Sequence, residues 1–154
     1  MDTKVEKFQW SEKDFDQMGW HDSHIYALAF DDEDFKLVLD IDYILKWVDP
    51  IENETYFKFW VAPATLVFKR VRDLKVAFEG PFIEIDIEDI DREEVKGTKI
   101  AESNWMISTG IGSISFKAVG FDQFIRRTPT LISTQKIGLG NRGGISFAEV
   151  AFDE

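Results

Sequence analysis

Two stretches of the chain alternate between apolar and polar residues, and this period of two constrains the fold more than any other feature. The first is FKLVLDID (residues 35–42) and the second is FIEIDIED (residues 82–89). Successive side chains of a strand point to opposite faces, so each stretch predicts a half-buried strand with one polar face. The polar faces carry acidic side chains: Asp40 and Asp42 in the first, and Glu84, Asp86 and Glu88 in the second.

Shorter apolar runs, separated by turn residues, extend this pattern along the chain. Ser11 with Asp14 three residues later predicts a capped short helix over residues 11–18. Ala62-Pro63 and Gly80-Pro81 are turn signals. Hairpins are predicted over residues 24–43, 73–90 and 105–119. Further strands are predicted at 55–61, 64–71 and 145–152.

These elements predict a mainly β fold, because helical intervals are too few for alternating parallel strands and helices. We expect an antiparallel meander that forms a curved sheet, a sandwich or a partly closed barrel, with one or two short helices. No low-complexity tract or Gly/Ser/Pro-rich linker divides the 154 residues. We therefore predict a single domain over residues 1–154, which is an ordinary domain size.

The acidic charge is concentrated in one part of the chain. Residues 1–100 carry 24 acidic and 13 basic side chains, whereas residues 101–154 carry five of each. A field of this sign repels phosphate backbones and anionic membrane surfaces, because nucleic-acid affinity depends on Lys and Arg. We expect no nucleic-acid and no membrane partner. A basic protein partner fits the charge, and the sequence leaves the oligomeric state open.

Three absences in the sequence indicate the compartment. The chain has no cysteine, which fits a reducing environment. It has no apolar run near the roughly 18 to 20 residues of a membrane span. The start, MDTKVEKFQW, lacks the basic and apolar regions of a secretory signal. The expected location is the cytoplasm.

The best candidate for chemistry is the segment His21-Asp22-Ser23-His24, which holds both histidines of the chain. Imidazole suits proton transfer and metal binding, but on a strand the two rings would point to opposite sides. Arg142, in an Asn-Arg-Gly-Gly turn, offers a guanidinium to an anion. A ligand or metal site, conceivably of a hydrolase, at His21, Asp22, His24 and Arg142 is the alternative hypothesis. No phosphate loop, dinucleotide motif or nucleophile elbow is present, so we expect no cofactor.

The leading hypothesis is a non-enzymatic protein-interaction domain, since the sequence contains no catalytic constellation. Of the five tryptophans, Trp60 and Trp105 alternate with apolar residues and are expected in the core. Trp10, Trp20 and Trp47 lie near predicted strand ends and are expected to be exposed, and exposed aromatic residues often anchor interfaces. The predicted partner-binding residues combine this aromatic side chain with the acidic faces: Asp40, Asp42, Glu84, Asp86, Glu88 and Trp47.

Several stretches together resemble a group of uncharacterised bacterial proteins of similar length. These stretches are WHDSHIYALAF (20–30), LVLDIDYILKWV (37–48), FWVAPATLVFKRVRDL (59–74), ISFKAVGFDQFIRRTP (114–129) and RGGISF (142–147). The W-H-D start, the A-x-L-x-F strand and the later D-L also resemble immunity-type proteins of polymorphic toxin systems. That second resemblance implies a cytoplasmic inhibitor that covers the active site of a toxin domain.

Overall fold

The computed structural model describes residues 7–153, and strands dominate this part of the chain. Its helices are a 3₁₀ helix, Glu12–Gln17, and a single α-helical turn, α1 (Leu139–Arg142). Among the described residues, no helix has the length and apolar character needed to cross a membrane. The strands are β1 (Gln9–Ser11), β2 (His24–Asp31), β3 (Lys36–Val48), β4 (Lys58–Lys69), β5 (Arg72–Phe78), β6 (Ile85–Glu94), β7 (Ser103–Thr109), β8 (Gly112–Ala118), β9 (Gly120–Ile125) and β10 (Thr130–Ile132).

The strands form one curved antiparallel sheet, which confirms the predicted fold class. Their order is β1-β9-β4-β3-β2-β6-β7-β8-β5, and β10 pairs with the first part of β4. The hairpins predicted over residues 24–43 and 105–119 are present as β2–β3 and β7–β8. The capping box is also confirmed: Lys13 N donates to Ser11 Oγ (3.3 Å), and Ser11 N donates to Asp14 Oδ2 (3.0 Å).

Two bent strand pairs give the sheet its curvature. β4 continues through a bend into β5, and β8 continues through a bend into β9. The two bends lie side by side, so the pairing of β4 with β9 continues as the pairing of β5 with β8. Lys69 lies opposite Gly120 on one side of the bend, and Arg72 lies opposite Lys117 on the other. Val119 N donates to Lys69 O across the bend at 3.0 Å. The sheet therefore turns back over itself and encloses one main core.

Aromatic rings fill much of that core. Phe68 packs against Trp105 and Phe116 with ring centroids 5.2 and 4.7 Å apart. The core position predicted for Trp105 is confirmed, because this side chain is buried. The exposure predicted for Trp20 is wrong: the residue is 4% exposed, and its Nε1 donates to Gln123 Oε1 at 2.7 Å. The indole of Trp20 therefore belongs to the core rather than to a surface.

The C-terminal segment, residues 133–152, covers the outer face of the central strands. Thr65 Oγ1 donates to Ala148 O at 2.8 Å, and Phe152 N donates to Ile125 O at 2.8 Å. Beneath the segment lies a small apolar cluster of Val38, Val67 and Phe124. As a result β3 and β4 are buried on both faces over most of their lengths.

The turn predicted at Ala62-Pro63 is wrong, because β4 runs through both residues. Proline lacks an N–H, so within a sheet it is confined to edges and irregular positions. Here β10 pairs with β4 only up to Val61 and β9 pairs only from Ala64. Pro63 lies at the junction of these two ladders, where its carbonyl still accepts from Arg126 N at 3.0 Å. The missing donor therefore interrupts neither ladder.

Two other predictions from the sequence are wrong. The hairpin over residues 73–90 does not form, since β5 pairs with β8 while β6 pairs with β2 and β7. The residues between them lead into β6, and Ile83, expected on its apolar face, is 91% exposed. The strand predicted at 145–152 is absent. Ser146 N donates to Asp40 Oδ2, and Ala148 O accepts from Thr65 Oγ1, so these two backbone groups bond to side chains of the sheet rather than to a neighbouring strand.

Candidate functional site

A groove lies where the β3–β4 hairpin, the start of β6 and the C-terminal segment meet. Its volume is about 520 Å³. Three of the predicted partner-binding residues, Trp47, Glu84 and Asp86, line it together. We call it the aromatic groove and define it by its full lining: Trp47, Tyr56, Phe57, Phe59, Glu84, Asp86, Ser133, Thr134, Gln135 and Lys136.

Trp47 is the centre of the aromatic side of the groove. It stands opposite Phe59 in the β3–β4 ladder, with ring centroids 4.9 Å apart, and its ring is 5.9 Å from that of Phe57. A bulge between Ile44 and Lys46 shifts the register just before it. Trp47 is 41% exposed, which confirms the exposure predicted for this residue. The groove therefore offers part of an indole surface to a ligand.

Carboxylates form the opposite side of the groove. Glu84 is exposed, and its Oε1 lies 3.3 Å from Lys136 Nζ. Asp86 is partly exposed, and its Oδ1 lies 2.8 Å from His24 Nδ1. Glu88 is also exposed but does not line the groove. An aromatic surface facing acidic side chains is suited to a cationic group.

The two histidines diverge, as expected for residues leading into a strand. His21 is exposed and stacks on Trp47, with ring centroids 6.3 Å apart and ring planes 17° apart. His24 is buried and is bound to Asp86. Asp22 accepts a hydrogen bond from Gln135 Nε2 at 2.8 Å. Over residues 7–153, no group of three or more His, Cys, Asp and Glu side chains is placed to hold a metal ion.

Asp40 and Asp42 were expected on a solvent-facing surface, and this expectation is wrong. Both are completely buried, because the C-terminal segment covers the polar face of β3. Asp40 accepts bonds from Arg142 and from Arg126 Nη2 (2.8 Å). Asp42 accepts from Arg142 Nε at 3.0 Å and from Tyr26 OH at 2.6 Å. Neither carboxylate is available to a partner in this structure.

Arg142, the candidate anion ligand of the alternative hypothesis, forms ion pairs within the chain instead. Its side chain is fully buried between the two aspartates and lies over the Tyr26 ring, 4.1 Å from the centroid. Burial alone would lower the pKa of Arg142, but its bonds to Asp40 and Asp42 outweigh burial and raise the pKa. Burial, then the hydrogen bond to Asp42, raise the pKa of the Tyr26 phenol. These five residues (Tyr26, Asp40, Asp42, Arg126 and Arg142) form what we call the buried charge cluster.

The four residues of the alternative site do not come together. His21 and Asp22 lie beside the aromatic groove, His24 borders it through Asp86, and Arg142 belongs to the buried charge cluster. The other half of the groove was not predicted from the sequence; it comprises Tyr56, Phe57, Phe59 and residues 133–136. The aromatic run TYFKF at 55–59 is a signal that could have revealed the first part. The second part has no local signal, because it is brought there by long-range packing.

The fold and the groove were compared with known proteins in three ways. The chain matches no model of a known protein family, no curated protein and no solved structure. The resemblance to immunity-type proteins therefore stays a prediction. The assignment of a function depends on the chemistry of the groove itself.

Proposed function

We propose that this chain is a non-enzymatic, cytoplasmic protein-interaction domain that binds a basic segment of a protein partner in the aromatic groove. One observation carries the proposal: the half-exposed indole of Trp47 shares a groove with the carboxylates of Glu84 and Asp86. The resemblance to immunity-type proteins gives the proposal a specific form. In that form the partner is a toxin domain, and this chain inhibits it by covering its active site.

The chemistry of the groove favours a lysine or arginine side chain. A cation over an indole face gains about 0.5 to 2 kcal/mol, and more as the contact loses water. A carboxylate beside the same cation adds a charge-assisted hydrogen bond. Glu84 and Asp86 are both within the groove and partly or fully exposed, so they can supply it. A neutral ligand would lack the cation–indole attraction, and an anionic ligand would be repelled by both carboxylates.

The net charge of the chain supports the same kind of partner. The formal charge is −11, and all of this excess lies in residues 1–100. A strongly charged surface accelerates association with a partner of opposite sign and weakens association with one of the same sign. Steering of this kind is reduced by salt. A basic partner would therefore bind quickly at low ionic strength and more slowly at high ionic strength.

A ligand or metal site at His21, Asp22, His24 and Arg142 receives less support. His24 is bound to Asp86, and Arg142 has its donors occupied by Asp40, Asp42 and backbone carbonyls. A metal or an anion would have to break these contacts before binding. We therefore retain the interaction domain as the proposed function.

The test is capture of a partner from the native cell by the intact tagged protein and by variants of the groove. We expect the wild type to retain a basic protein in stoichiometric amount. Trp47→Ala and Glu84→Gln should each lower the retained amount by about fivefold or more, because a central interface contact is worth roughly 1 kcal/mol or more.

Matched controls make the same chemical changes away from the groove. Phe30→Ala removes an exposed aromatic ring at the far end of β2, and Glu33→Gln neutralises an exposed carboxylate in the β2–β3 turn. Both should retain the partner like the wild type. The proposal is overturned if no stoichiometric basic protein is retained, or if the groove variants retain it as well as the controls do.

A further inference from the structure

The aromatic groove already contains a basic side chain of this chain. Lys136 Nζ lies 3.3 Å from Glu84 Oε1, on the carboxylate side of the groove. The two side chains are 44% and 60% exposed, so the ion pair is open to water. Lys136 therefore pairs with the same carboxylate that an incoming lysine or arginine side chain would contact.

We propose that Lys136 is an intramolecular substitute for the partner's basic side chain, and that the partner binds by displacing it from Glu84. This inference rests on the proposed function, since it names the competitor at the same groove. It also specifies the ligand: a lysine or arginine side chain of a protein segment, bound through Glu84 and the exposed part of the Trp47 indole.

The Lys136–Glu84 pair is weak enough to be displaced. Exposed ion pairs contribute little to stability, because water and side-chain entropy offset the attraction between the charges. A partner's cation in the same place gains the Glu84 contact and the aromatic surface beside it. Exchange therefore favours the partner whenever the rest of its segment also contacts the groove.

The position of the chain around Lys136 does not depend on its ammonium. Gln135 Nε2 donates to Asp22 Oδ2 at 2.8 Å, and Ile137 N donates to Asp42 Oδ2 at 2.6 Å. These neighbours anchor the backbone on both sides of Lys136. Loss of the lysine side chain should therefore remove the competitor and leave the groove wall in place.

The displaced side chain has space to move. Lys136 also lines a second hollow of about 360 Å³, beside Ile83, Ile85 and Leu139. Its ammonium can leave Glu84 toward that side and stay in contact with water. Displacement then requires rotation of one side chain and no movement of the strands.

The test is isothermal titration of the intact protein with a capped Gly-Gly-Arg-Gly-Gly peptide, with the citrulline peptide as its uncharged equivalent. Lys136→Gln should bind the arginine peptide about two- to fivefold more tightly than the wild type, the ratio that corresponds to up to 1 kcal/mol. Lys136→Arg keeps a competing cation and should bind like the wild type. Lys13→Gln makes the same charge change at an exposed side chain outside the groove lining and should also bind like the wild type.

The outcomes separate this inference from the proposed function. Equal affinities for Lys136→Gln and Lys13→Gln, with binding still lost in Glu84→Gln, would overturn displacement and leave the groove as the binding site. Arginine and citrulline peptides binding equally well, or neither binding to any variant, would overturn the groove as a cation site and displacement with it.

Discussion

Arg142 joins the C-terminal segment to β3 through buried ion pairs. Its guanidinium bonds to Asp40 and Asp42, and neither the arginine side chain nor the carboxylates have exposed surface. Charges buried in this way need a partner, because the transfer of an unpaired ion out of water costs several kcal/mol. Arg126 supplies a second cation to Asp40 only. Asp42 depends on Arg142 for its ion pair.

We expect Arg142→Ala to lower the free energy of unfolding by about 3 to 5 kcal/mol, because it leaves buried carboxylates without their main cation. Urea unfolding followed by tryptophan fluorescence measures this loss. Arg127→Ala is the matched control, since Arg127 lies at the surface and donates only to a backbone carbonyl, Asn141 O, at 3.1 Å. The control should lose less than about 1 kcal/mol. Equal effects of the two substitutions would contradict a special role for Arg142.

At the scale of elements, β5 is held to the rest of the sheet by contacts at both of its ends. At one end Phe78 lies opposite Gly112, the first residue of β8 after the turn from β7. At the other end Arg72 Nε donates to Glu102 Oε2 at 3.1 Å, just before β7 begins. β8 lies between β5 and β7 in the strand order. The Arg72–Glu102 contact therefore connects β5 with the residue before β7, although these two strands do not pair.

Gly112→Ala should destabilise the protein by about 1 to 3 kcal/mol, the usual cost of forcing atoms into a packed site. Gly112 has a φ of 152°, and a Cβ there would lie 1.8 Å from Ala77 O in the β5 backbone. Gly110→Ala is the matched control in the same turn, because a Cβ at that position meets no atom within 4 Å. Thermal unfolding of both variants tests this. A Gly112→Ala protein as stable as the Gly110→Ala protein would show that β5 does not pack closely against the turn.

Glu102 should make stability depend on pH. Its hydrogen bond with Arg72 lowers the pKa of Glu102 below the ordinary value of 4.5. A carboxylate with a lower pKa in the folded state than in the unfolded state stabilises the protein at pH values above its unfolded-state pKa. This stabilisation is lost as the pH falls through the folded-state pKa. Glu102→Gln should therefore be less stable than the wild type at neutral pH.

The difference between wild type and Glu102→Gln should shrink as the pH falls below 4.5, because the wild-type carboxylate then takes up a proton. Urea unfolding at neutral pH and at about pH 3 measures it. Glu94→Gln changes an exposed carboxylate of β6 and serves as the control. A stability difference that is the same at both pH values would contradict the Arg72–Glu102 assignment.

The alternating pattern correctly predicted the strands that pair with their neighbours in sequence. It placed β2, β3, β7 and β8 and their hairpins, because each hairpin pairs neighbours in sequence. It failed where pairing is long-range: β9 was missed, β4 was divided at Pro63, and residues 145–152 were assigned to a strand. It also brought Trp47, Glu84 and Asp86 forward as candidates, although only the folded chain shows that they share a groove.

The same limit applies to Asp40 and Asp42. An apolar-polar alternation shows which face of a strand is polar, but it does not show what covers that face. Here the polar face of β3 holds two aspartates under the C-terminal segment, about a hundred residues away in sequence. Arg142 supplies the cation that allows both aspartates to be buried, and the alternating pattern around β3 carries no information about residue 142.

At the scale of the whole molecule, ion pairs connect the acidic first part of the chain with the neutral last part. Residues 101–154 are formally neutral, but several of their cations pair with acids from residues 1–100. These pairs are Lys117–Asp73, Arg126–Asp40, Lys136–Glu84 and Arg142 with Asp40 and Asp42. In the opposite direction, acids of residues 101–154 pair with cations of the first part: Glu102 with Arg72, Asp122 with Lys69 and Glu149 with Lys36. Ion pairs of both polarities therefore join the two parts, and the acidic excess of residues 1–100 stays available to a basic partner.

The buried charge cluster also bears on how the protein is made. A ribosome delivers Asp40 and Asp42 about a hundred residues before Arg142, so throughout most of translation both carboxylates lack their cation. Domains generally fold as units during synthesis, and β3 cannot adopt its final packing while its aspartates require water. We therefore expect β3 to complete its native packing only after Arg142 has been synthesised.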